Sequence, residues 1–196
     1  MTIVTTMTEL EAVNEMLMSI GQAPVNSLAV TGIKDVAIAR QRLRTALRSI
    51  LSMGWWFNTD EAFDLTPDLD GNIVIPVNAL KVDSDGSDIT ERNLDGKGRC
   101  LYNRAEQSFE FADPVTVRVV WGFEYEDIPQ TARDYIGTVA ARRFQSKVIG
   151  SQILDRFEQE DEIKAYIALI REDRASRRTN LFTGNRGISA FGRRSY

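Results

Sequence analysis

Gly54-Trp55-Trp56-Phe57-Asn58 closes a long amphipathic run and opens a stretch of different character. It holds two of the three tryptophans in the chain. Glycine most readily takes the left-handed conformation that follows a helix C-terminus, so Gly54 marks a stop. Side chains alternate faces along an extended chain, so three adjacent rings cannot all enter one core. Trp55 and Phe57 share a face and are expected to serve as core where helical and strand-rich parts meet. Trp56 points the other way and is the candidate for a subunit contact. The segment reads as a junction, and a junction with a ring to spare suggests a part of an assembly.

Upstream of it the pattern is helical. Thr8-Glu9-Leu10-Glu11 has capping-box spacing, and Leu10, Val13, Leu17 and Ile20 form one stripe to about residue 20. Gly21 and Pro24 end that helix. A second helix is expected over about 33–53, with Val36, Ala39, Leu43, Ala46, Leu47 and Ile50 on its apolar face. Arg40, Arg44 and Arg48 recur every four residues and form a basic ridge beside it.

Downstream, from Asp60 to Tyr125, helical periodicity disappears. Turn signals recur at Asp70-Gly71-Asn72, Asp85-Gly86 and Asp95-Gly96-Lys97-Gly98. Strands are expected at 62–65, 73–76, 99–103, 107–111 and 115–123. In the last, Val115, Val117, Val119 and Trp121 share one face, and Thr116, Arg118 and Val120 the other. Helical signal returns at Pro129, a good first-turn residue, with Ala132, Tyr135, Ile136, Val139, Ala140 and Phe144 as the buried stripe. After Gly150, Ser151 can cap a fourth helix to about residue 176. Its stripe is Ile153, Phe157, Ile163, Ile167 and Ile170, interrupted by the acidic patch Glu158, Glu160, Asp161 and Glu162.

The fold class is therefore α+β. Both chain ends build a four-helix bundle-like domain, with a small antiparallel β domain inserted and an extended C-terminal tail. The expected parts are 1–58 and 128–176 for the helical domain, 59–127 for the β insert, and 177–196 for a basic arm.

Composition narrows the chemistry. The chain has 196 residues, a net charge of −4, one cysteine and no histidine. Without histidine, a Ser-His-Asp or Cys-His triad and a His-ligated zinc are excluded. Cys100 alone cannot form an intrachain disulfide, fits a reducing cytosol, and reads as a small buried filler. No apolar run approaches a membrane span, and residues 1–6 lack the regions of a signal peptide. No cofactor is implied. Asp83-Ser84-Asp85-Gly86-Ser87-Asp88 places its glycine wrongly for an EF-hand and reads as a solvated turn. Gly96-Lys97-Gly98 lacks the remainder of a P-loop. Asp60, Glu61, Asp64, Asp68 and Asp70 could supply paired carboxylates for glycoside hydrolysis; the plainer reading is exposed acids beside turns.

The charge is unevenly placed. From Arg171 to Tyr196 seven arginines face two acids, a net +5. A basic tail on an acidic body marks an interaction arm. It could be a solubilising end, a nucleic-acid arm or a peptide for a protein groove. Arg177, Arg178, Arg186, Arg193 and Arg194 are interleaved with Phe182, Phe191 and Tyr196. Phosphate binding needs charge but not apolar anchors, so the groove is favoured. The acidic patch is a solvated helix face, or it pairs with the Arg40/Arg44/Arg48 ridge within or between subunits.

Leu10-x-Ala12-Val13-Asn14-x-x-Leu17-x-Ser19-Ile20-Gly21-x-x-Pro24-Val25-x-Ser27-Leu28 resembles the start of the tail tubular protein A family, the head-to-tail adaptors of T7-like short-tailed phages. Gly54-Trp55-x-Phe57-Asn58, Leu65-x-Pro67-Asp68, Ile128-Pro129, Arg143-Phe144-Gln145 and the acidic helix follow in the family's order. The resemblance implies a non-enzymatic virion protein of the phage tail, assembled in the host cytoplasm. It implies a dodecamer ring beneath the portal protein, joined to the tail nozzle (tubular B) protein below, with tail fibres docked around it. Double-stranded DNA would pass through its channel at ejection. It places the C-terminal arm in the portal. The alternative is a carboxylate-based glycan hydrolase associated with the tail, and a third reading is a small DNA-binding protein acting through its tail.

Overall fold

Thr8 caps the first helix as its spacing predicts. Its hydroxyl accepts from the Glu11 amide, and the Glu11 carboxylate accepts from the Thr8 amide. Among the described residues there are four helices and two small antiparallel sheets, a mixed architecture consistent with the α+β class. The computed structural model describes residues 5–29, 34–84, 88–148 and 152–184.

The chain divides into two compact units, one of residues 48–124 and one of the segments on either side. The flanking unit carries α1 (Glu9–Ser19), most of α2 (Lys34–Leu51), a short 3-10 turn (Tyr125–Asp127), α3 (Gln130–Val148) and α4 (Gln152–Gly184). The α3 helix packs against both α1 and α4. Of its expected stripe, Ala132, Ile136, Val139, Ala140 and Phe144 are buried and Tyr135 is half-buried. So are Val36, Ala39, Leu43 and Ala46 of α2 and Val13, Met16 and Leu17 of α1. Three nearly periodic apolar faces thus supply the core of this unit.

The α4 helix departs from expectation in two ways. Leu169 is fully buried, but Ile163 and Ile167 are 51% and 42% exposed. Its apolar stripe is wider than the surface that covers it. The helix also runs to Gly184, past the expected end at residue 176. Residues 177–183 contain neither glycine nor proline, and Arg177 reaches back one turn to Asp173 at 2.9 Å, so nothing local breaks the helix before Gly184.

In the 48–124 unit, β5 (Val115–Trp121) is the central strand between β1 (Thr59–Leu65) and β2 (Ala79–Asp83), antiparallel to both. Its β-branched residues suit a strand paired on both edges. A separate hairpin joins β3 (Ile89–Leu94) to β4 (Gly98–Asn103), with Ile89 opposite Asn103 and Leu94 opposite Gly98. The core gathers Leu65, Ile73, Ile75, Val82, Leu101, Val117 and Val119, with Val115 and Trp121 against it. Val117 and Val119 of one β5 face are buried, and Val120 of the other face is buried as well.

The segment 73–76 forms no strand. It lies along β4 through two bonds, Leu101 N to the Ile73 carbonyl and Ile75 N to the Arg99 carbonyl, at 2.9 and 2.8 Å. Segment 107–111 contributes single bridges at Ser108 and Glu110. The strands β2 and β3 were not expected. Both carry charged residues at half-exposed positions, so period-two alternation is weak in each. Residues 85–87 of the Asp83–Asp88 turn lie outside the described residues. Among the described residues no helix is long and apolar enough to cross a membrane.

Candidate assembly surface

The aromatic junction is built on the end of α2. Gly54 takes φ +77°, the left-handed value its position called for. A Cβ there would stand 3.1 Å from Val120 Cγ2 and 3.2 Å from Thr59 Oγ1, so the glycine also admits close approach by β1 and β5. The last carbonyls of α2 have no helical partner of their own. Two side chains from the junction supply them: Trp55 Nε1 donates to the Ile50 carbonyl at 2.8 Å, and Asn58 Nδ2 to the Leu51 carbonyl at 2.9 Å.

Asn58 is the hub. It is 1% exposed. Its Nδ2 also donates to the Trp121 carbonyl at 2.7 Å, and its Oδ1 accepts from the Trp55 amide at 2.8 Å. One side chain therefore ties the helix end, the turn and the central strand.

This turn overturns the alternating-face reading of the three rings. Residues 55–57 are not extended. Trp55 is buried as expected, but Phe57 does not join it. Phe57 and Trp56 are both half-buried and pack edge to face, centroids 4.9 Å apart. Together with Phe63, Trp121 and Phe123 they line an open hollow of about 330 Å³. Phe63 and Trp121 meet edge to face at 5.3 Å.

Thr59, which also lines the hollow, carries a buried Oγ1 with no hydrogen-bond partner among the described residues. A buried hydroxyl without a partner is destabilising. Thr59→Val keeps the branched shape and is expected to raise stability by up to about 1 kcal/mol, read as a higher urea midpoint. A lower midpoint would contradict the assignment of that hydroxyl as an orphan.

The acids that glycan chemistry would call on are each engaged. Asp60 Oδ2 accepts from Trp121 Nε1 at 2.7 Å, and Asp64 Oδ1 from Thr116 Oγ1 at 2.6 Å. Glu61 pairs with Arg118 at 2.9 Å. Lys97 Nζ bonds Asp68, Asp70 and Asn72 together, each at 2.7 Å. The Lys97 ammonium holds the Asp68 carboxyl below its usual range, helped by the Asn72 amide. That is the wrong direction for a general acid at neutral pH. The clamp's stabilising effect is complete above the ordinary Asp range and is lost as pH falls through the lowered value. Cys100 is fully buried, and burial pushes its thiol pKa up, as suits a filler.

Among the described residues the charge ridges pair with other groups of the chain. Arg40 pairs with Glu9 at 3.3 Å and also donates to the Leu28 carbonyl. Arg44 lies 4.0 Å from the same Glu9, and Arg48 is exposed. In the acidic patch, Glu162 pairs with Arg142 at 3.1 Å and Asp161 with Lys164 at 2.8 Å, while Glu160 is exposed. Within the chain, and among the described residues, each ridge finds nearer partners than the other. Arg177 pairs along its own helix with Asp173. Arg186, Phe191, Arg193, Arg194 and Tyr196 lie outside the described residues, as do the side chains of Glu158, Arg178 and Phe182.

Sequence reading missed Arg133, 6% exposed near the start of α3. Its guanidinium donates to the carbonyls of Ile128 at 2.8 Å, Met7 at 2.6 Å and Glu126. The available signal was its position beside Ala132 in the first turn, within the inward stripe of α3.

The family model described as Tail tubular protein matches residues 10–179. The chain is 32% identical over 157 residues to Tail tubular protein A of Klebsiella phage KP34, covering 80% of this chain and 82% of that one. The match spans both units, from α1 into the last turns of α4, and the chain belongs to the tail tubular protein family.

Proposed function

We propose that this chain is a structural, non-enzymatic protein of the phage tail that forms the head-to-tail adaptor ring, joining portal to nozzle and enclosing part of the DNA ejection channel. The observation that carries the reading is the family match over residues 10–179. The fold supplies means for it. Ile163 and Ile167 leave an apolar pair exposed one turn apart on α4, flanked by Glu160 and Asp161. Copies packed side by side would cover it, with Arg44 and Arg48 available to acids of a neighbour, Glu158 and Glu162 among them. Trp56, half-exposed on the other unit, is a second contact of this kind.

In this reading the helical segments at both chain ends act as one bundle-like domain and twelve copies close the ring. The C-terminal arm (Arg177, Arg178, Phe182, Arg186, Phe191, Arg193, Arg194 and Tyr196) enters the portal. Tail fibres dock around the junction with the nozzle. DNA contact is weak and sequence-independent, because a channel must let DNA slide. Assembly takes place in the host cytoplasm and the product resides in the virion.

Electron micrographs of the purified protein with its portal are expected to show rings. A chain that stays monomeric with portal and nozzle both present would sink the proposal. Removing residues 185–196 is expected to abolish co-sedimentation with the portal while leaving the thermal melt of the remainder unchanged. A truncated chain that still co-sediments would place the portal contact outside residues 185–196.

A further inference from the structure

We infer that the aromatic hollow of the 48–124 unit is a receptor for an arginine side chain presented by a segment of another polypeptide. The inference stands on the hollow itself and holds whether or not the ring reading does.

Five rings, Trp56, Phe57, Phe63, Trp121 and Phe123, line the hollow together with Asp60. Aromatic faces carry negative potential and attract cations placed over them. Asp60 adds a full negative charge at the same place. Its Oδ2 is held by Trp121 Nε1 at 2.7 Å, which fixes the carboxylate. Its Oδ1 makes no hydrogen bond among the described residues and remains open to a donor. Rings and carboxylate together select a cation, and a planar guanidinium both stacks on rings and donates to carboxylate, which an ammonium does less well.

The surrounding charge agrees. Residues 48–124 carry fourteen acids and seven bases, so the unit attracts basic segments. Three of its five arginines are engaged elsewhere: Arg118 with Glu61, Arg99 with Glu91, and Arg92 over the Tyr102 ring at 3.8 Å. The last of these is the same chemistry already made once inside the unit. The hollow, at about 330 Å³, exceeds a guanidinium and admits the apolar stem as well. Val77, next in sequence to the lining residue Asn78, is 99% exposed. An uncovered apolar side chain one residue from the lining, and room for the arginine stem, favour an extended polypeptide over a free small cation.

The test uses the full chain labelled with 5-fluorotryptophan, whose three resonances are assigned by single Trp→Phe variants. The probes are acetyl-Ile-Arg-Val-amide and the same peptide with citrulline, which keeps the shape and removes the charge. The arginine peptide is expected to move the Trp56 and Trp121 resonances saturably and leave buried Trp55 in place. The citrulline peptide is expected to bind at least fivefold more weakly. Asp60→Asn keeps an acceptor for Trp121 and is expected to bring the arginine peptide down to the citrulline level, while Glu61→Gln changes nothing.

Equal binding of the two peptides, an equal loss in Glu61→Gln, or no saturable shift would overturn the inference. So would a shift of Trp121 on deleting 185–196 without peptide, since the chain's own tail would then be the occupant.

Discussion

Replacing Asn58 by alanine is expected to lower the stability of the 48–124 unit by about 3 kcal/mol, the sum of three groups each costing about 1 kcal/mol when stranded in the interior. The three are the Trp55 amide and the Leu51 and Trp121 carbonyls. The Leu51 carbonyl keeps a second bond from the Gly54 amide at 3.1 Å, which limits its share. Alanine also leaves a small void where the amide stood. The measurement is a urea titration followed by tryptophan fluorescence, with Trp55 as the natural reporter. A loss below about 0.5 kcal/mol, the range of a neutral surface change, would mean that water replaces the amide and that Asn58 is not the hub.

The aspartate variant separates hydrogen bonding from packing at the same site. Asn58→Asp keeps an acceptor for the Trp55 amide but faces two carbonyls with a carboxylate. Burial and those carbonyls raise its folded pKa above the unfolded value. Stability is therefore greatest below the ordinary Asp range, where the group is protonated in both states. It declines as pH rises from the unfolded to the raised folded value. The wild-type asparagine lends no such slope.

How much of this was legible in the sequence depends on whether local rules or tertiary partners decide each residue. Gly54 was legible because a left-handed C-terminal residue is a local demand. So was the Thr8–Glu11 box. The strand β5 was legible because its run of β-branched residues suits a strand paired on both edges. The hairpin strand β3 was not, because Thr90, Glu91, Arg92 and Asn93 show no apolar alternation and find their order in pairing with β4. The rings at 55–57 were misassigned for one reason: alternation was applied to residues that form a turn. The exposed Ile163 and Ile167 show the same limit. Periodicity says which residues share a face of α4, and only the neighbouring helix says how much of that face is covered. The Lys97 clamp reaches Asp68 and Asp70 across more than twenty-five residues of sequence, and no spacing rule reveals it.

Arg133→Met is expected to cost about 3 kcal/mol in the flanking unit, about 1 kcal/mol for each of the three carbonyls left without their donor. Methionine matches the length and apolar stem of arginine, so packing changes little. What changes is the carbonyls of Met7, Glu126 and Ile128, which lose their shared donor. Those carbonyls belong to two stretches far apart in sequence, the approach to α1 and the turn before α3. The Tyr125 hydroxyl closes the same knot, donating to the Arg133 carbonyl at 3.1 Å and contacting Met7 Sδ at 3.3 Å. Relief from burying a cation offsets part of the loss, which keeps the figure below that of three neutral orphans plus a cavity. Arg133→Lys keeps the charge but offers one ammonium to three acceptors in a fork, and about half the loss is expected. Two readouts test this: the urea midpoint, and subtilisin cleavage near Met7, which quickens once its carbonyl is released. A methionine variant with wild-type midpoint and wild-type cleavage would mean that the N-terminal stretch is held by the Gln130 side chain, whose Oε1 accepts from the Met7 amide at 2.8 Å, and not by the buried guanidinium.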